Sequence, residues 1–279
     1  MSSETLRNDR ADILGVGVSS INLDDAVARI EHWISERSQT YVCVTGVHGV
    51  MESRLDDRLR RIHNEAGMTT PDGMPLVWLS HLAGKDHTER VYGPDLMRRM
   101  MAVSSARGYR QFYYGGAEGV ADTLRENLVK RHPELQVAGT FCPPFRELSS
   151  EEDRAVVDTI NAAHPDIVWV GLSTPKQEYW MANHLGRIQA PVMIGVGAAF
   201  DFVAGTKRQA PRWMQRSGLE WLFRLCSEPR RLWRRYGYIV PAFIVLAAAE
   251  LTQNAFLALR SGMKPARMLT RRENIRGKQ

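Results

Sequence analysis

From residue 12 to about residue 200 the chain alternates short apolar runs with longer stretches whose apolar positions recur at helical spacing. The runs Ile13–Val18, Tyr41–Thr45, Met68–Thr70, Arg110–Tyr114, Val137–Phe141, Ile167–Gly171 and Val192–Val196 are largely β-branched and aromatic and read as strands. Helical patterns lie between them. Asn22 stands where a helix cap belongs, with Asp24 and Asp25 in the first turn of a helix running to about Arg37. Val50 to Glu65 reads as one or two helices. Met74-Pro75 opens another, with proline in its tolerated first turn. Further helices are expected over Pro94–Arg107, over Val120–Arg131, from Ser150 with its acidic start to about His164, and over Pro175–Leu185. Such alternation predicts an α/β fold with a mainly parallel sheet and flanking helices.

After Pro211 the pattern changes. Alternation stops, arginine becomes dense, and the apolar run Ile239 to Ala249 contains Pro241. That run is shorter than the roughly 20 apolar residues of a membrane span, and Glu250, Gln253 and Asn254 follow it. Flanked by Trp233, Tyr236, Tyr238 and arginines, it fits an interfacial helix on anionic lipid; a buried core or dimer helix is the alternative. The expected organisation is a core over 1–210 and a basic, helical, membrane-associating appendage over 211–279.

Charge sharpens this picture. The 279 residues carry a net charge of +6, which suits an anionic partner, and the basic residues are concentrated between Lys207 and Arg235 and again from Lys264 to Lys278. Three scattered cysteines fit a reducing compartment, and the polar segment Met1 to Asp12 has no apolar signal core. The expected location is cytoplasmic.

Several strand-end loops carry candidate chemistry. In Thr70-Pro71-Asp72-Gly73, Asp72 falls where a strand gives way to a helix, the edge at which open α/β sheets bind ligands. A carboxylate there can take a proton from a substrate hydroxyl, or it can merely cap the helix. Gly115 and Gly116 either let backbone N–H groups approach a diphosphate or make a tight turn with no ligand. Gly171 opens the loop to Lys176 and Gln177, a candidate phosphate contact and a candidate sugar or base contact, or else a plain first helical turn. Asp201 could accept from a uracil ring or a ribose hydroxyl, or act as a buried cap. Arg90 could neutralise a leaving phosphate, or be a solvated surface residue. His48 follows a strand end as a possible base or substrate contact. No Asp-x-Asp, His-x-x-x-His or Cys/His cluster appears, so no metal is expected. The dinucleotide glycine fingerprint and the P-loop are also missing.

The order of these motifs, with Arg90-Val91-Tyr92-Gly93-Pro94-Asp95, Phe112 to Gly116, Gly171 to Glu178, Gly195 to Asp201, Ala210-Pro211-Arg212-Trp213 and Gly218 to Arg224, resembles the WecG/TagA/CpsF glycosyltransferases, family 26, over about residues 12–236. The resemblance implies a Rossmann-like core with a C-terminal appendage, and an inverting, metal-independent transferase of an exopolysaccharide branch. It would move a hexose-type sugar from a UDP donor to an undecaprenyl-diphosphate-linked acceptor at the inner face of the membrane. Asp72 matches the family's proposed base, Thr45, Arg90 and Gln177 match pocket residues, and Asp201 matches a position near the uridine. Arg224, Arg231 and Arg234 fall where the appendage supplies cations to the active site. Many members carry Thr-x-Asn at the first strand end; this chain has Thr45-Gly46-Val47, and His48 is expected to take over the contacts of the asparagine. The expected partners are the two substrates and an anionic membrane surface, with a homo-oligomer possible, no cofactor and no nucleic acid. The rival function is a non-catalytic membrane or nucleic-acid binding protein with a Rossmann-like core, motivated by arginines interleaved with Trp213, Trp221 and Trp233.

Overall fold

A computed structural model describes residues 9–261. The basic tail from Lys264 and the first residues of the chain lie outside the described residues. Two compact units are present. One gathers the chain up to Asn22, Thr45–Arg90 and everything from Ala210 on; the other comprises Leu23–Val44 and Val91–Gln209.

The second unit holds the parallel strands β3 (Thr40–Thr45, its last residue counted with the first unit), β5 (Arg110–Gly115), β6 (Gln136–Phe141), β7 (Ile167–Gly171) and β8 (Val192–Gly195). β3 pairs with β8, β8 with β7, β7 with β5 and β5 with β6, all in parallel. With β4 (Met68–Pro71) the sheet is six-stranded, in the order β4-β3-β8-β7-β5-β6. This is a Rossmann-like α/β fold, as the alternating pattern predicts. Ile167, Val168, Trp169 and Val170 are all fully buried, which is why β7 is continuously apolar rather than alternating. The one polar atom of Trp169, Nε1, donates to Gln111 Oε1 at 2.7 Å, and Gln111 in turn donates to Ser104 Oγ at 3.0 Å. The helices of this unit are α1 (Leu23–Ser35), α5 (Gly93–Arg107), α6 (Val120–Arg131), α7 (Ser150–Ala162), α8 (Lys176–His184) and α9 (Ala199–Ala204). Ser149, one residue before the expected start, caps α7 in a reciprocal capping box with Glu152.

The first unit begins with a correction. Ile13–Val18 is not one strand but the turn of a hairpin, β1 (Arg10–Ile13) and β2 (Val16–Ser19), paired antiparallel with Ile13 opposite Val16. Leu14 and Gly15 both adopt positive φ, 51° and 89°, as a two-residue hairpin loop requires. Asp12 Oδ1 accepts from Gly15 N at 2.7 Å and closes the turn. The segment 47–65 forms two helices, α2 (Val47–Leu55) and α3 (Asp57–Glu65), divided by Asp56, whose side chain caps α3. α4 (Met74–Leu82) follows β4, and α10 (Arg212–Arg216), α11 (Glu220–Ser227) and α12 (Pro229–Ser261) complete the unit.

α12 is longer than the apolar run within it. It passes through Pro241 without ending, and an 18-residue window between Pro229 and Leu257 has a mean hydropathy of 1.5. By length and composition the helix therefore meets the requirement for a span that its short central run does not. One stripe of it is engaged with protein. Ile239 and Phe243 pack into a core with Ala11, Ile13, Val16 and Val18 of the hairpin, Val50 and Met51 of α2, and Leu76 of α4. Further along, Glu250 Oε2 accepts from Leu14 N at 3.0 Å. Ile244, Val245 and Phe256, off that stripe, are exposed.

Candidate active site

Within the first unit, Asp72 follows the last residue of β4 and is held through its main chain on both sides. Its N–H donates to the Thr45 carbonyl at the end of β3, at 2.9 Å, and its carbonyl accepts from Arg90 Nε at 2.5 Å. The N-cap of α4 is Gly73, so Asp72 stands one residue before the cap position. The carboxylate instead lies over Gly46, the N-cap of α2, where Oδ2 is 3.8 Å from the place a Cβ would occupy. α2 has no acidic residue in its own first turn, and the positive end of its dipole favours an anion there. Thr45 is 2% exposed, and its Oγ1 is buried with no hydrogen-bond partner.

Arg90 is engaged at each of its three nitrogens. Besides the Asp72 carbonyl, it donates from Nη1 to Gln215 Oε1 at 3.3 Å and from Nη2 to Glu220 Oε2 at 2.5 Å. Both side chains of the Arg90–Glu220 pair are mostly buried. Such a guanidinium fastens the Asp72 main chain to the segment that carries α10 and α11.

His48 sits in the first turn of α2 with Nε2 3.3 Å from Glu52 Oε1. Burial, reinforced by repulsion from Arg235 and Arg224, lowers its pKa to about 4. The ring is therefore neutral at physiological pH, and its contact with Glu52 is not an ion pair there. Arg224 lies on α11; Arg231 and Arg234 lie on α12, where Arg231 Nη2 contacts Glu228 Oε2 at 2.6 Å and Arg234 stacks over Trp233.

In the second unit the strand-end glycines have a structural reason. Gly115 and Gly116 have φ of 111° and 84°, Gly116 N donates to the Gly171 carbonyl at 3.0 Å, and a Cβ on Gly115 would come within 2.8 Å of the Gly171 backbone. A Cβ on Gly171 would meet the Phe200 ring at 2.7 Å. The ends of β5 and β7 are thus in backbone contact. Gln177, 2% exposed, donates from Nε2 to Glu178 Oε1 at 3.0 Å, with Thr174 Oγ1 donating to the same oxygen at 2.9 Å. Gln177 Oε1 and Glu178 Oε2 are buried without partners. Burial pushes the Glu178 carboxyl above the usual carboxylate range. Gly195 and Gly197 leave room for this amide, since Cβ atoms there would approach it at 3.2 and 3.4 Å. Lys176 is exposed at the start of α8. Asp201 in α9 pairs with Lys207 Nζ at 3.2 Å and accepts from Thr206 Oγ1 at 3.3 Å. Among the described residues no three His, Cys, Asp or Glu side chains converge as a metal would need.

The WecG/TagA/CpsF glycosyl transferase family model matches residues 11–256. The chain belongs to this family, and it is a glycosyltransferase. Its relatives include the N-acetylglucosaminyldiphosphoundecaprenol N-acetyl-beta-D-mannosaminyltransferases of Bacillus spizizenii, Bacillus subtilis and Staphylococcus aureus. The first is 31% identical over 184 residues, 66% of this chain and 69% of the relative. The second is 26% identical over 257 residues, covering 92% and 95% of the two chains. The third, from strain MW2, is 26% identical over 239 residues, covering 84% and 91%.

Four side chains of this glycosyltransferase escape a reading of its sequence. Glu220 and Gln215 lie more than 120 residues from the Arg90 they bind, and no local pattern links them. Glu178 stands beside Gln177 in the motif, but only its burial marks it out. Arg235 looks like one more residue of a basic run, yet its Nε is buried without a partner.

Proposed function

We propose that this glycosyltransferase transfers a hexose-type sugar from a UDP-sugar to a polyprenyl-diphosphate-linked glycan, with inversion and without a metal, in surface or exopolysaccharide assembly. The Asp72 carboxylate takes the proton of the acceptor hydroxyl, the freed oxygen pair attacks the anomeric carbon, and the glycosyl–phosphate bond breaks as UDP departs. A positioned base contributes about 10²–10⁴-fold in rate. Thr45 and Arg90 position this base by holding its main chain, and neutral His48 is suited to donate or accept a hydrogen bond to the acceptor sugar rather than to carry charge. Stabilisation of the departing diphosphate falls to arginines of α11 and α12, Arg224, Arg231 and Arg234. Gln177 is assigned to the donor sugar, Lys176 to phosphate and Asp201 to the uridine, next to the Gly171 loop.

The observation that carries this reading is Asp72, held at a strand end by hydrogen bonds on both sides of its main chain. The relatives' names supply the acceptor class, a sugar on diphosphoundecaprenol. A lipid-bound acceptor and the exposed apolar stripe of α12 support a peripheral location on the cytoplasmic face of the membrane. Purified protein incubated with a panel of UDP-sugars and a lipid-linked acceptor, read by mass, tests the activity. Asp72→Asn should reduce transfer by about 10²-fold or more while leaving UDP affinity near that of the parent. Equal loss of both would refute the base assignment.

A further inference from the structure

Between α2 and α12, inside the first unit, lies a cavity of about 430 Å³. Its floor is apolar, with Met51, Ile239 and Leu246, and its mouth is flanked by Leu55 and Tyr238, 74% and 62% exposed. Arg54, Arg234 and Arg235 line it as well, with Glu52 the acidic group among the lining residues. Apolar floor and guanidinium rim in one groove are the complement of a molecule with a hydrocarbon part and a polyanionic part.

Arg235 has cations for neighbours. Burial lowers its pKa, Tyr236, hydrogen-bonded to it, opposes that, and repulsion from Arg224 and Arg231 adds to it; its Nε has no hydrogen-bond partner. Of the nearby carboxylates, Glu228 is paired with Arg231, while Glu52 faces the neutral His48. A half-buried guanidinium crowded by two others gains most from a dianion that accepts several N–H bonds at once. Val245 and Phe256, on the helical face of Tyr238, are exposed beyond the groove and would cover a chain too long for the cavity. Its volume lies in the range of small-ligand sites, about 300–1,000 Å³, enough for a headgroup and the first carbons behind it.

We propose that the α2–α12 groove seats the diphosphate and first isoprene units of the lipid-linked acceptor, with Arg235 and Arg54 on the diphosphate and Met51, Leu55, Tyr238 and Leu246 on the hydrocarbon. This rests on the acceptor class proposed above, and it assigns that acceptor a seat on the protein rather than leaving its tail wholly in the bilayer. His48, at the other end of α2 from Leu55, then lies on the side of the acceptor's sugar.

Farnesyl diphosphate and inorganic pyrophosphate serve as probes, titrated calorimetrically into the full chain. Arg235→Met, which keeps most of the apolar stem, should weaken both by about tenfold. The double variant Leu55→Ser/Tyr238→Ser changes two exposed side chains. It should weaken farnesyl diphosphate by about tenfold and leave pyrophosphate unchanged. Both variants should pellet with phosphatidylglycerol vesicles as the parent does. Parental affinity for farnesyl diphosphate in both variants, or no binding of it by the parent chain, overturns the proposal. Parallel loss of vesicle and farnesyl diphosphate binding in the double variant also overturns it, since the patch would then be a bilayer contact. Groove-dependent binding without sugar transfer to any lipid-linked acceptor would sustain the seat and sink the transferase reading instead.

Discussion

His63 offers a quantitative check on the packing beneath the candidate base. Its side chain is fully buried; Nδ1 lies 3.0 Å from the Leu59 carbonyl and 3.1 Å from Ser53 Oγ, and Nε2 is buried without a partner. Arg10 adds a cation nearby, bonded through Nη1 to the His63 carbonyl. Burial, opposed by the Leu59 hydrogen bond and aided by Arg10, lowers the histidine pKa from 6.5 to about 4. With the folded value depressed, the unfolded chain takes up the proton first, so stability is whole above pH 6.5 and is lost as pH falls toward 4. The loss attributable to this ring is about 1 kcal/mol by pH 5.5 and about 3 kcal/mol by pH 4.5. Urea unfolding of the parent and of His63→Asn at pH 7.5, 5.5 and 4.5 measures it. Asn keeps an amide nitrogen near the position of Nδ1 but has nothing to titrate. His48 and the carboxylates titrate in both proteins and cancel from the difference. The gap between the two stability curves should narrow by those amounts on acidification. Curves that stay parallel would refute the assignment of a buried, neutral imidazole.

Other predictions concern the remaining contacts. Arg90→Met or Glu220→Ala alone should cost about 3 kcal/mol, because each leaves a mostly buried charge unpaired. The double variant should cost at least about 1 kcal/mol less than the sum, and strict additivity in urea would show that the pair contributes nothing. Gly115→Ala should cost more than about 3 kcal/mol, since its Cβ would run into the Gly171 backbone. Gly119→Ala, also at positive φ but with nothing within 4 Å, should cost about 1 kcal/mol by the same thermal assay. Glu178→Gln should stay within about 1 kcal/mol of the parent at pH 7, while Glu178→Ala should cost about 2 kcal/mol and raise KM for the donor by releasing Gln177. Because burial raises the Glu178 pKa, its favourable neutral form is present in acid and lost as pH rises, so Glu178→Gln should gain on the parent between pH 4 and 7. No change in that difference would argue against a protonated carboxyl.

Much of the sheet was legible because strands buried on both faces must be continuously apolar, and Ile167 to Val170 satisfy that without ambiguity. The hairpin was not. Ile13 to Val18 is apolar at nearly every position, and a single glycine was too weak a turn signal until Leu14 was seen at positive φ. The length of α12 was not legible from its short apolar run: Pro241 sits inside the helix at an exposed position, and the residue four before it is Gly237, whose environment is open. At the site, the strand-end position of Asp72 could be read from the proline and glycine on either side of it. What holds it there could not, because Glu220 approaches Arg90 across 130 residues of chain. The glycines at 115, 116 and 171 were legible as strand-end residues, and their contacts with one another and with Phe200 account for them without a bound phosphate.

The apolar face of the β1–β2 hairpin is made within the first twenty residues, yet Ile239 and Phe243 that help cover it come some 220 residues later. During synthesis that face waits on the order of ten seconds or more before its lid leaves the ribosome. A nascent chain therefore presents Ile13, Val16 and Val18 to chaperones for most of its translation. The half of the enzyme bearing Asp72 matures last, when α12 has itself emerged.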